Sequence, residues 1–253
     1  MKMKKNIATI ATIVMLLMAC NATAGTWEDI QLKARAGWSI GGTAPIGLPA
    51  TIRSIDSYKL TPSFLVGIDA QLPLSDKWGI MAGVRYENKA MNGDVSTKAY
   101  HMELRRGESV MEGLFTGSVH QEVTEWMVTI PVLATLNLGP KVQLKAGPYF
   151  SLLTSRRFEG IASDGYLRQG DPTGAKVLIG NKDGEWATYD FSDDMRRFQT
   201  GIAIGADWQV YKALGLSLDL NWGLNGIFRK DFDTVEQTLY PIYATIGVFY
   251  RLK

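Results

Sequence analysis

Along eight stretches of the chain, apolar residues occupy every second position and the positions between them are polar or glycine. The first stretch sets Ile30, Leu32, Ala34, Ala36 and Trp38 against Gln31, Lys33, Arg35, Gly37 and Ser39. In the seventh, Leu214, Leu216, Leu218, Leu220 and Trp222 alternate with Gly215, Ser217, Asp219, Asn221 and Gly223. A period of two residues belongs to strands, whose successive side chains point to opposite faces. The remaining six stretches lie at 64–72, 78–87, 126–137, 142–152, 199–210 and 242–252. Each has the length of a tilted membrane strand, about 9–11 residues, and beyond residue 24 no run approaches the roughly 20 apolar residues of a membrane helix.

The connections between stretches provide an independent test. They run long (41–58), short (73–77), long (89–119), short (139–141), long (154–196), short (211–213) and long (227–237). Outer-membrane barrels have this alternation of short periplasmic turns and long outer loops. In that orientation Trp38, Tyr86, Trp126, Trp222 and Tyr240 fall near the outer strand ends, and Trp78, Trp208 and Tyr250 near the inner ends. These are the two interfacial levels that amphipathic rings favour. A secreted soluble barrel would also alternate, but with its apolar set inside. The polar set here includes Lys33, Arg35, Asp69, Arg85, Glu87, Lys145, Asp207, Asp219 and Arg251. That mixture of signs suits pairing inside a barrel whose apolar face meets lipid. The reading is therefore all-β: an eight-stranded antiparallel up-and-down transmembrane β-barrel in the cell outer membrane. Pro131, Pro148 and Pro241 are expected at bulges or unpaired ladder positions, where facing slips by one residue.

Ahead of the barrel, residues 1–24 read as a signal peptide: Lys2, Lys4 and Lys5, an apolar run over 7–19, then Ala22-Thr23-Ala24 as cleavage site. The barrel domain is then 25–253. The competing reading is lipidation of Cys20 in Leu17-Met18-Ala19-Cys20. With 1–24 removed, 24 basic residues face 25 acidic ones, a net charge of −1 that offers nothing to nucleic acid. Loss of Cys20 also excludes thiol chemistry and disulfides.

Thr129-Ile130-Pro131-Val132-Leu133, Lys145-Ala146-Gly147-Pro148-Tyr149-Phe150, the stretch from Phe198 to Gly205 and that from Leu218 to Leu224 together resemble the PorT-like outer-membrane β-barrel family of Gram-negative bacteria. The resemblance spans most of the mature chain, implies an eight-stranded barrel and a secretion-accessory role, and carries no catalytic residues. The C-terminal Phe249-Tyr250-Arg251-Leu252-Lys253 departs from the aromatic ending such barrels often have.

An eight-stranded barrel is only wide enough to be filled by side chains, so the inward charges read as a polar core rather than an ion path. Ser118, His120 and Glu122 share one parity and suggest a nucleophile, base and acid at the rim of a lipid-modifying enzyme. Same-face neighbours lie about 7 Å apart along a strand, too far for direct contact. The expectation is accordingly non-enzymatic, with no catalytic residue and no cofactor. Metal binding has little support: His101 stands within a long loop, and Asp183-Gly184-Glu185 lacks the alternating oxygens of a calcium loop. The longest outer loop, 154–196, carries Arg156, Arg157, Tyr166, Arg168, Trp186 and Tyr189. Arg and aromatic residues are enriched in binding hot spots, so these form the candidate partner-binding set. Folding of the loop on itself as a small β-extension is the equal alternative. Expected partners are outer-membrane lipid and an envelope or secretion-system protein.

Overall fold

In the computed structural model the described residues are 29–45, 47, 49–59, 61–232, 234–235 and 237–253. The signal peptide, the barrel start at Gly25 and Cys20 lie outside them. Eleven strands form among the described residues: β1 (Gln31–Pro45), β2 (Ile52–Lys59), β3 (Ser63–Pro73), β4 (Trp78–Arg106), β5 (Ser109–Asn137), β6 (Val142–Gln169), β7 (Lys176–Ile179), β8 (Ala187–Asp190), β9 (Phe198–Tyr211), β10 (Leu214–Gly223) and β11 (Leu239–Arg251). Eight of them close a ring. β1 pairs with β3, β3 with β4, β4 with β5, β5 with β6, β6 with β9, β9 with β10 and β10 with β11. β11 returns to β1 with Lys33 opposite Arg251, and every pairing is antiparallel. Up to Ser39 and Ser63 closure removes the sheet edges, which satisfies the backbone within the sheet as hydrocarbon requires.

The faces follow the sequence parity. Phe64, Val66, Ile68, Val84, Ile204, Leu218 and Ile246 point outward, while Lys33, Arg35, Asp69, Arg85, Lys145, Asp207 and Asp219 are buried in the lumen. Among the described residues no helix is long and apolar enough to cross a membrane. The outer girdle includes a stacked pair, Tyr86 and Trp126, with ring centroids 5.4 Å apart.

Two expectations need correction. Pro131 and Pro148 leave unpaired positions in the ladders to β4 and β5 without shifting them, while Pro241 stays paired with Thr43 of β1. Residues 132–133 and 147–148 are unpaired between β5 and β6, yet the register is the same on both sides of the gap. The slips in facing occur instead at bulges that involve no proline. One lies on β6 beside Thr154, where Trp126 pairs with Ser155 and Met127 with Leu153. Before it the odd residues Tyr149, Ser151 and Leu153 face inward; after it the even residues Phe158 and Ala162 do.

The second correction concerns the stretch 89–119, read as a loop. It is strand on both sides of a two-residue turn, with Arg106 paired to Ser109. Gly107 has φ +60°, the conformation that a type II′ hairpin turn asks of its first central residue. β6 likewise continues to Gln169, with β7 and β8 folding back on it, so the β-extension alternative is realised. These extensions build a lobe above the barrel. Its core contains Leu104, Phe115, Phe158, Ala162, Leu167 and Phe228, all buried. Phe158 meets Phe228 edge-on at 4.8 Å, and Phe228 lies 4.7 Å from Phe232.

A closed barrel of this kind is expected to migrate differently on SDS gels before and after boiling, because separating the strands breaks every ladder together. Identical mobility, or release of the membrane-bound protein by carbonate, would contradict the closed ring.

Candidate functional site

Arg35, reaching into the lumen from β1, is the hub of an ion-pair network. Its Nε lies 2.8 Å from Asp69, and its Nη atoms lie 3.0 Å from Asp207 and 3.8 Å from Asp219. Arg85 meets Asp69 at 3.0 Å, while Lys145 meets Asp207 at 2.6 Å and Asp219 at 2.7 Å. Lys33 completes the group at 3.5 Å from Asp207. Four cations thus face three carboxylates, and the rings sharing the lumen take up part of the excess: Lys33 and Arg35 lie 5.1 and 5.8 Å from the Phe249 centroid. The glycines of the polar set make room for this packing. A Cβ on Gly83 would come within 2.1 Å of an Asp69 oxygen, and one on Gly205 equally close to Asp219.

A second polar group sits nearer the lobe and is separate from the first. Lys89 lies 3.7 Å from Glu87, Thr129 donates to Glu87 at 2.5 Å, and Gln199 donates to Glu125 at 2.6 Å. Glu87 therefore belongs here and not with Arg35. Arg251 also stands apart, donating to Gln209 at 2.6 Å in a polar vestibule of about 480 Å³ at the inner mouth. Lys89 and Glu125 escaped the sequence reading, which ended the strands just short of them.

At the rim, His120 is held between two carboxylates. Nδ1 lies 2.6 Å from Asp94, and Nε2 lies 3.5 Å from Glu122. Ser118 is in register with Ser96 and Ser163, two rungs away from the pairing of His120 with Asp94. A general base needs a ring nitrogen free to take the nucleophile's proton. Here both nitrogens face acids, and the expected order of nucleophile, base and acid is not assembled. Asp94 was hidden from the sequence reading because it stood in the presumed loop. Ser57 of β2 donates a short hydrogen bond to Asp94, and that bond, with the one from His120, holds the Asp94 carboxyl below its ordinary value. A depressed acid stabilises the fold above its unfolded value, about 3.9, and that contribution vanishes as pH falls through the folded value. Amide-exchange protection of β2 is expected to fall on acidification below about pH 4 in the wild type. Asp94→Asn should lose that acid limb; an unchanged limb would place its origin elsewhere, for example at Asp56.

The six residues of the candidate partner-binding loop are not gathered into one patch. Tyr189 is buried in the lobe core and donates to the His120 carbonyl at 3.1 Å. Arg156 is a strut, donating to the Met195 carbonyl at 2.6 Å. Arg157 is exposed beside Glu159, at 3.1 Å. Tyr166 lies partly exposed beneath two cations, Lys176 at 4.3 Å and Arg168 at 6.0 Å from its ring. Trp186 is half-buried at the end of the 180–186 turn. Among the described residues no three His, Cys, Asp or Glu side chains are placed so as to hold a metal ion, and His101 meets Glu112 at 3.4 Å.

An antiparallel ring of eight strands with an apolar outer belt, two aromatic girdles and a charged, filled lumen defines an integral outer-membrane protein. The chain belongs to the outer membrane protein beta-barrel domain family, whose model matches residues 21–229, and it resides in the cell outer membrane. No curated protein matches it in sequence. Among solved structures it is similar to the attachment invasion locus protein Ail of Yersinia pestis, crystallised with the heparin analogue sucrose octasulfate: 9% identity over 88% of this chain and 99% of that one, TM-score 0.41. Neisserial surface protein A (NspA) follows at 12% identity over 88% and 97%, TM-score 0.36. With scores this low, the architecture rests on the strand pairing itself.

Proposed function

We propose that this protein is a closed, non-enzymatic outer-membrane barrel whose outer β-lobe serves as an interaction surface for another envelope protein. The observation that carries the reading is the combination of a lumen filled by the Arg35 network with a lobe that has its own core and holds Arg157, Tyr166, Arg168 and Trp186 at or near its surface. A protein that spends its chain on a self-folded outer lobe presents a rigid surface, and rigidity reduces the ordering cost of binding. The PorT-like sequence motifs favour a partner in a secretion system. The signal peptide over 1–24 belongs to the same reading, as the export route for the barrel domain.

The test is site-specific photocrosslinking from Arg157 and Trp186 in intact cells. A discrete adduct with one envelope protein is expected; its absence from both positions overturns the interaction reading. The enzyme alternative is tested on the host's lipids. His120→Ala and Ser118→Ala are expected to leave lipid A and phospholipid composition unchanged by mass spectrometry, because residues acting as nucleophile and base lose nearly all rate when either is removed. A change in acyl-chain number that appears on deletion and is reproduced by His120→Ala would make the rim catalytic.

A further inference from the structure

The barrel wall is not sealed to the same height all round. Pairing of β1 with β3 ends at Ser39 and Ser63, whereas pairing of β1 with β11 continues to Pro45 and Leu239. Above Ser63 the neighbour of β4 is β2, and β2 does not pair with β1. The free edge of β1 from Ile40 to Pro45 therefore faces β2 without a ladder. Among the described residues, Tyr58 donates to the Gly41 carbonyl across the seam, and the Thr43 N–H points to the Met91 sulfur at 3.4 Å.

The seam holds a cavity of about 420 Å³, within the size range of small-ligand sites, roughly 300–1,000 Å³. Its deep wall is Met91, Val95, Met102 and Val119, backed by the lobe's Phe158 and Phe191. Its outer lip is Ile40, Ile55 and Ile242. Ile40 and Ile242 share the outward parity of Trp38 and Ile246, and the pairing of Ile40 with Ala244 is two rungs above that of Trp38 with Ile246. The mouth thus opens sideways just above the outer aromatic girdle, at the level of the outer-leaflet headgroups.

We propose that this seam is an acyl-chain cleft, taking one chain of an outer-leaflet lipid laterally from the membrane. Although Ser57, Thr97 and Gln121 also line it, the wall is mainly aliphatic and aromatic, which suits a hydrocarbon chain better than water, and an empty cavity of this size forfeits dispersion contacts along its lining. The apolar phase nearest the mouth is the outer leaflet, whose acyl chains begin just below it. Met91 and Met102 suit a flexible chain, since unbranched thioethers adapt to irregular shapes. The glycines at the entrance keep it open: a Cβ on Gly42 would meet the Met91 sulfur at 2.9 Å.

The experiment uses the mature chain refolded in phospholipid vesicles containing a phospholipid with a diazirine in its acyl chain. After irradiation, adducts are mapped by mass spectrometry. Adducts are expected on Met91, Val95 or Met102 in addition to belt residues such as Val66 and Leu218. Val95→Trp, which fills the seam, should abolish the cleft adducts and keep the belt adducts. If Val95→Trp loses the heat-dependent gel shift, Gly42→Leu takes its place. Adducts confined to the belt overturn the proposal, and so do cleft adducts that survive filling. Labelling of the cleft by a diazirine fatty acid from the aqueous phase, with none from the phospholipid, overturns the lateral source.

Discussion

Arg35→Met is expected to destabilise the barrel by about 3–5 kcal/mol, measured by denaturant unfolding in vesicles. Arg35 contacts Asp69, Asp207 and Asp219, and all four side chains are buried. Its removal leaves Lys33, Arg85 and Lys145 against the three carboxylates, but Asp69 and Asp207 lose the hydrogen bonds of the guanidinium inside a buried network, and breaking such a network costs far more than an intact pair contributes. Arg35→Lys should recover only part of the loss. A lysine ammonium is a point charge on a flexible stem, whereas the guanidinium fork reaches several oxygens at once. A cost below about 1 kcal/mol would mean that the network behaves like a solvated surface pair, and the filled-lumen reading would fall.

Leu218→Arg acts on the opposite face. Leu218 is 56% exposed on the isolated chain and stands midway along β10 between Leu214 at the inner turn and Trp222 in the outer girdle. An arginine there lies at the bilayer midplane, at a cost of about 2–4 kcal/mol, whereas Leu214→Arg near the interface should cost about 0–1 kcal/mol. The depth dependence is the decisive readout. Equal costs at the two positions would show that the belt does not face hydrocarbon.

These two substitutions also mark what is legible in the linear chain. The outward set of Leu218 and the inward set of Arg35 follow from parity alone, because in the membrane zone one face must match lipid and the other must not. Strand number and closure follow from the same alternation together with the short connections. The family shown is the general outer-membrane barrel one.

The lobe was not legible, for a physical reason. Above the membrane no lipid enforces contrast between the faces of a strand, so β4 and β5 run on through residues 89–119 without the alternation that identified them below. Bulges compound this by reversing parity. Beyond Lys98 and Ala99, inward facing on β4 passes from Thr97 to Met102 and Leu104, and beside Thr154 it passes on β6 from Leu153 to Phe158. An extra residue in one strand is fixed by its partner's register, which no local pattern records.

The candidate rim site shows the same division. The sequence placed Ser118, His120 and Glu122 on one face of a strand, and the structure keeps them there. Which acid takes Nδ1 was decided by pairing across the hairpin, where Asp94 is opposite His120 although the two are 26 residues apart. Parity along a strand is set by the sequence itself, since it needs only a lipid boundary. The neighbour across the ladder, the seam between β1 and β2 and the burial of Tyr189 exist only after closure, because each depends on which strand comes to lie beside which.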